Sequence, residues 1–151
     1  RLRRAAADAR VDVAVVEEDT YNLLAAADAA AVASGTATVE AALLGCPHVV
    51  VYKTSALTYA VARALVRTRY IGMPNIILDA PVAPELIQGR ATGVALATEL
   101  RRFLEDSAHA HAVRERLSGV RAALVRLQSL LEKVNGSTAP TMSSGLPTPM
   151  R

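Results

Sequence analysis

Ser34, Gly35, Thr36, Thr38 and Glu40 crowd into one short stretch, and their types suit a phosphorylated ligand. A turn of Ser, Gly and Thr carries no bulky side chain, so an anion can approach its backbone N–H groups closely. The residues after it, 37–44, are helix-forming. A helix leaves its first N–H groups unpaired at an end with partial positive charge, and such an end accepts a phosphate or diphosphate. The hydroxyls of Ser34, Thr36 and Thr38 can add hydrogen bonds to phosphate oxygens. Glu40 would repel a phosphate, but a carboxylate there can take two hydrogen bonds from a vicinal diol, as acidic residues do for ribose in dinucleotide folds. Diphosphate on the turn and ribose on Glu40 together describe a nucleoside diphosphate. The same residues also make an ordinary helix start, with a hydroxyl cap and a carboxylate facing the dipole. Residue types alone leave both accounts open.

The elements that must position this turn are short. Residues 29–33 are a run of small apolar side chains, and His48-Val49-Val50-Val51-Tyr52 is a compact β-branched run. Strand, turn, helix, strand is the implied order. Upstream, residues 11–16 alternate and then become fully apolar, which predicts a strand of a covered parallel sheet. Residues 17–20 read as a turn and 21–27 as a short helix. Strands alternating with helices at these spacings argue an α/β parallel sheet. Ligands of such sheets bind at the carboxyl ends of strands, where Ser34 falls.

Further along, 57–69 predicts a helix with Val61, Ala64 and Leu65 on one side and Arg63 and Arg67 on another. Those arginines make either a solvated basic face or a contact for anionic lipid headgroups. Residues 70–78 read as a loop entering a short apolar strand, with Pro74 stiffening the approach to Asn75. Asn75 can bond its own turn or offer a donor and an acceptor to a sugar. Glu85 reads as a helix-start carboxylate. Residues 92–104 predict a helix, and 109–134 a longer one with Val113, Leu117, Val120, Leu124, Leu127, Leu131 and Val134 at alternating spacings of four and three. That stripe suits packing across a domain or subunit, or a coiled coil. From Asn135 the chain turns rich in Ser, Thr, Pro and Gly, which predicts a disordered tail over 136–151. The implied organisation is a 1–108 domain, a 109–135 helix and that tail.

Composition narrows the function classes. The 151 residues are 52% hydrophobic, with Ala the commonest type, one Phe and no Trp, so the core is small and aliphatic. A net charge of +3 and a pI near 9.4 suit an anionic ligand or an acidic membrane surface. Basic residues do not interleave with aromatics as in nucleic-acid sheets, so no nucleic-acid partner is expected. The single Cys46 can form no internal disulfide, which fits a reducing cytosol, and it reads as a small buried apolar residue. His109 and His111 would leave a helix on different faces, and His48 stands apart from acids, so no metal site is expected. No nucleophile, base and orienting group fall together. The chain opens on Arg1, shows no signal peptide or long apolar run, and reads as a fragment or truncated gene product.

Ser34-Gly35-Thr36-Ala37-Thr38-x-Glu40-Ala41-x-Leu43-x-Gly45-x-Pro47 resembles the C-terminal half of the lipid-A-disaccharide synthase family. The likeness continues through Val49-Val50-Val51-Tyr52-Lys53, Leu57-Thr58-Tyr59, Arg63-x-Leu65-Val66, Ile71-Gly72-Met73-Pro74-Asn75-Ile76-Ile77 and Pro84-Glu85-Leu86-Ile87-Gln88. The first block is shared with other two-domain (GT-B) glycosyltransferases; the later ones narrow it. The resemblance covers residues 11–104. It implies a Rossmann-like parallel sheet with flanking helices, the donor half of a GT-B fold, followed here by the long helix and the tail.

What the resemblance implies is an inverting transfer of 2,3-diacylglucosamine from its UDP derivative to 2,3-diacylglucosamine 1-phosphate. The products are the β-1,6-linked lipid A disaccharide 1-phosphate and UDP. It implies substrate binding by Ser34, Gly35, Thr36, Ala37, Thr38, Glu40 and Asn75, with Asn75 in the donor-sugar pocket. UDP-sugar is then a substrate, and no cofactor or metal is implied. The family's general base and most acceptor contacts belong to an N-terminal half, so this chain alone is expected to bind UDP weakly and turn over little. A cytoplasmic location, peripheral contact with the inner membrane and a homodimer fit the same picture. Two competing readings are another UDP-sugar transferase or UDP-GlcNAc epimerase with the same turn, and a non-catalytic interaction protein built on the 109–134 helix. The family's usual Gly-rich break and terminal helix are not found after residue 134.

Overall fold

A computed structural model of the chain describes residues 7–8, 12–55, 58–59 and 68–136. In chain order the elements are α1 (Thr20–Ala26), β1 (Ala30–Ala33), α2 (Ala37–Leu43), β2 (His48–Tyr52), α3 (Met73–Leu78), β3 (Glu85–Ile87), a single 3-10 turn (Gln88–Arg90), α4 (Gly93–Glu105) and α5 (Ser107–Gly136). The three strands form one parallel sheet in the order β1-β2-β3. Ala30 is in register with His48 and Ala33 with Val51; Val50 is in register with Glu85 and Tyr52 with Ile87.

β2 lies in the middle, and His48, Val49 and Val50 are all buried. A central parallel strand is covered on both faces, which is why this run lacks the polar alternation of a half-exposed strand. One apolar cluster joins Ala42, Val49, Leu86, Phe103, Val113, Leu117 and Val120. A second joins Leu24, Val32, Ala41 and Cys46. α2 contributes to both clusters, so the helix that follows the Ser34 turn is anchored from two sides.

Several expectations are corrected. Of the strand expected over 11–16, the described residues 12–16 form none; Val13, Val15 and Val16 are 41–46% exposed, and among the described residues the strand pairings run among β1, β2 and β3. Their β-branched pattern supplies the side chains of a strand, but a strand also needs a neighbouring edge to take its N–H groups. The segment after Gly72 is the helix α3, not an apolar strand. Pro74 sits in its first turn, where a missing N–H costs nothing, and a short apolar run reads equally as strand or buried helix. Glu85 opens β3 and starts no helix.

The stripe on α5 is divided. Val113, Leu117 and Val120 are buried in the first cluster and Leu124 packs on its edge, whereas Leu127, Leu131 and Val134 are 54–66% exposed. The first half of the helix is therefore part of the domain core, in contact with α2, α3 and α4. At its start the Asp106 carboxylate accepts from His109 N at 2.9 Å, and the His109 ring stacks on Phe103 with centroids 5.5 Å apart. The helix expected over 57–69, with Arg63 and Arg67, lies outside the described residues except for 58–59 and 68–69. The tail from 137 onward also lies outside them.

Candidate functional site

The turn leaves the carboxyl end of β1. Ser34 N donates to Val51 O at 3.0 Å, which carries the sheet pairing one residue past the strand before the chain breaks away. Gly35 has φ +148°, a conformation that side chains resist, so glycine lets the chain reverse here. Thr36 then takes the first position before α2, but its side chain makes no capping hydrogen bond. The capping account of this stretch is thus not what the hydroxyls do. Thr38 Oγ1 donates to Gly35 O at 2.6 Å and Ser34 Oγ donates to Ile71 O at 3.3 Å, so both tie the main chain together.

The N–H groups of Thr38 and Val39 turn inward to Gly35 O and Thr36 O. Among the described residues those of Gly35, Thr36 and Ala37 meet no acceptor. Three consecutive free donors at the end of a parallel strand are a donor set suited to an anion. Glu40, half-buried one turn into α2, makes no hydrogen bond or ion pair among the described residues. Six of the seven residues expected from the sequence (Ser34, Gly35, Thr36, Ala37, Thr38 and Glu40) thus share one turn and the helix after it.

Asn75 is placed differently. It is 1% exposed. Its Nδ2 donates to Ala83 O at 2.7 Å and to Glu85 Oε1 at 2.9 Å, and its Oδ1 accepts from Val82 N at 2.9 Å and Ala83 N at 2.8 Å. An amide has two protons and two lone pairs to offer, and the chain uses all four. The side chain expected to meet a sugar therefore braces the 82–83 segment and Glu85.

Glu85 is the residue that sequence reasoning undervalued. Its Oε1 accepts from Gly72 N at 2.8 Å and its Oε2 from Ile71 N at 3.0 Å, besides the bond from Asn75. A Cβ on Gly72 would stand 2.9 Å from Val50 Cγ2 and 3.2 Å from Glu85 Oε1, so only glycine lets the backbone come this close. Gln88, at φ +51°, accepts from Thr54 N at 2.9 Å through Oε1 and joins the ends of β2 and β3. The Gly72 and Gln88 contacts lie within the Ile71–Ile77 and Pro84–Gln88 blocks of the resemblance; their spacing in sequence gives no hint of which atoms meet.

Asn75 and Glu85 also border a cavity of about 400 Å³ with Arg90, Arg102 and Arg116 on its walls. Arg90 already donates to Glu85 O at 2.9 Å and Arg116 to Pro81 O at 3.3 Å. Among the described residues no three His, Cys, Asp or Glu side chains come together to hold a metal. His48 is fully buried: its Nδ1 donates to Cys46 O at 2.9 Å, while Nε2 has no partner among the described residues. Burial pushes its pKa below the ordinary 6.5, outweighing that hydrogen bond. Cys46 is 2% exposed, and burial raises its thiol pKa although Arg114 opposes the shift. It behaves as the small apolar residue expected.

A three-stranded parallel sheet flanked by helices, with a turn and helix leaving a strand's carboxyl end, is the architecture of a Rossmann-like α/β domain. Comparison with known proteins makes this specific. The family model for lipid-A-disaccharide synthetase matches residues 3–133. The lipid-A-disaccharide synthase of Syntrophus aciditrophicus is 46% identical over 112 residues, 74% of this chain and 29% of that protein. That of Geobacter metallireducens is 41% identical over 114 residues, 76% of this chain and 30% of that protein. The one from Anaeromyxobacter dehalogenans strain 2CP-1 is 44% identical over 119 residues, 79% of this chain and 31% of that protein. The chain belongs to the lipid-A-disaccharide synthase family, and it spans about 30% of the length of these relatives.

Proposed function

We propose that this chain is the donor-nucleotide part of a lipid-A-disaccharide synthase. The enzyme would transfer 2,3-diacylglucosamine from UDP to 2,3-diacylglucosamine 1-phosphate with inversion, giving the β-1,6-linked disaccharide 1-phosphate and UDP. The observation that carries this reading is the set of free N–H groups at Gly35, Thr36 and Ala37, at the carboxyl end of β1, in a chain of this family.

The diphosphate of the donor would lie on those amides, with the Thr36 hydroxyl beside them and Ser34 and Thr38 holding the turn in shape. As the bond to the anomeric carbon breaks, negative charge gathers on the leaving diphosphate. Fixed N–H dipoles already aimed at that position stabilise it without reorganising. Glu40 would accept hydrogen bonds from the ribose diol, which explains a half-buried carboxylate that has no partner among the described residues. Asn75 enters as a brace for Glu85 and the 82–83 segment beside the site, its own hydrogen bonds being filled. The acceptor and the general base would be supplied by the rest of the enzyme, and the exposed Leu127, Leu131 and Val134 of α5 offer apolar surface for such a contact. No helix among the described residues is long and apolar enough to cross a membrane. A cytoplasmic enzyme meeting its acylated substrates peripherally at the inner membrane, and a homodimer, belong to the same proposal.

Calorimetric titration of UDP into the chain, alongside Glu40→Ala, tests it. Binding is expected, and the variant should lose about 1–3 kcal/mol, the scale of a hydrogen bond to a charged group. Equal affinity of the two would remove Glu40 from the site. Binding of UDP by neither this chain nor the chain joined to an N-terminal half would overturn the reading.

A further inference from the structure

Ser34 opens the turn that carries the free amides; besides its main-chain bond to Val51, its side chain leads by a chain of contacts to a residue on another strand. Ser34 Oγ donates to Ile71 O. That carbonyl belongs to the same peptide unit as Gly72 N, which donates to Glu85 Oε1 at 2.8 Å. The preceding N–H, of Ile71, donates to Glu85 Oε2 at 3.0 Å. One peptide plane is therefore gripped on its N–H side by a carboxylate and on its C=O side by the Ser34 hydroxyl. A charged acceptor on the N–H polarises the peptide and makes its carbonyl a better acceptor.

Glu85 is itself fixed. Asn75 Nδ2 donates to it, and Asn75 is locked by three bonds to residues 82–83. The backbone of Glu85 lies in register with Val50. Gly72 admits no side chain between carboxylate and peptide. The path thus runs from a buried amide, through a half-buried carboxylate and one peptide, to the first residue of the turn.

We infer that Glu85 is a positioning residue for the nucleotide turn, acting through the Ile71–Gly72 peptide on Ser34. This deepens the proposed function and rests on it for the identity of the ligand. Glutamine at 85 would test the charge and the acceptor count together. Its amide has one oxygen to accept with and an NH2 that faces donors, so it cannot serve the N–H groups of Ile71 and Gly72 and the amide of Asn75 at once.

The experiment is UDP titration and amide NMR on the full chain, for the parent, Glu85→Gln, Glu85→Asp, Ser34→Ala and the Glu85→Gln/Ser34→Ala double variant. Glu85→Gln should bind UDP about tenfold more weakly, with part of the loss recovered in Glu85→Asp. Ser34→Ala should add little in the Glu85→Gln background, because both cut one path. Without nucleotide, the amide resonances of residues 34–37 should move in Glu85→Gln. A merely structural Glu85 would lower unfolding stability yet leave UDP affinity and those resonances as in the parent, and that result overturns the inference. So do additive losses in the double variant. Should Glu85→Gln not fold, Glu85→Asp and Ser34→Ala form the same cycle. If the parent binds no UDP either alone or joined to an N-terminal half, the nucleotide reading fails by that measurement, while unmoved 34–37 resonances in the ligand-free variant are what would refute the role of Glu85.

Discussion

Asn75 Nδ2 lies 2.9 Å from Glu85 Oε1, and this single contact ties the first turn of α3 to the first residue of β3. The amide also accepts from Val82 N and Ala83 N and donates to Ala83 O, so it stands where a stretch of secondary structure would otherwise pair these groups.

Asn75→Asp keeps the shape of this residue and removes its two N–H donors. It leaves Ala83 O without its partner and sets a second carboxylate against Glu85. A buried acceptor without a donor and two facing charges should together cost about 2–4 kcal/mol. Urea unfolding monitored by circular dichroism measures it. A loss below about 0.5 kcal/mol, the range of ordinary surface changes, would mean that the network is not structural.

Gly72→Ala probes the close approach on the other side of Glu85. The new methyl would meet Val50 Cγ2 at 2.9 Å, and Val50 is a buried β-branched residue of the central strand, whose χ1 is restricted. Overpacking of this kind costs about 1–3 kcal/mol. Val50→Ala removes the clashing atom, so the double variant should be less destabilised than the sum of the two singles. Simple additivity in thermal melts would place the strain elsewhere.

The readable part of this chain is local. Residues 34–40 place small, polar and acidic groups on a turn and the helix after it, and the β-branched run 48–52 forms the central strand, with His48, Val49 and Val50 buried. Glu85 and Asn75 were harder. Each looks like a common surface residue, and their importance comes from backbone atoms 7 to 14 residues distant in sequence that the fold brings within hydrogen-bonding distance. Residues 11–16 carry a strand pattern, yet the described 12–16 form no strand, because pairing is a property of two edges. The seven-residue repeat on α5 was visible from end to end, but nothing in the repeat says where the domain beneath it stops.

That boundary yields a contrast within one helix. Leu117→Ala, at 0% exposure in the main cluster, should cost about 2–5 kcal/mol through lost burial and the cavity left behind. Leu131→Ala, two turns of the repeat further and 55% exposed, should change stability by less than about 0.5 kcal/mol. Paired chemical denaturation curves decide it. A large loss at Leu131 would show that in solution the far end of the seam is covered.

His48 gives the pH dependence. In the folded chain its ring is fully buried, its Nδ1 proton is held by Cys46 O, and burial sets its pKa below the ordinary 6.5. In the unfolded chain the same ring titrates near 6.5. Between the lowered folded value and 6.5 the unfolded state therefore binds more protons than the folded one, so protonation pulls toward unfolding. Stability from this group is complete above about pH 6.5 and falls as the pH drops through that window, by about 1.4 kcal/mol per pH unit at full slope. His48→Leu removes both the titration and the unpartnered Nε2, at the loss of one hydrogen bond. Unfolding free energies measured from pH 7.5 down to 5 should thus decline more steeply for the parent than for the variant. Equal slopes would mean that His48 takes up its proton without leaving the folded state, and that the Nε2 side of the ring opens to water or an acceptor as the pH falls.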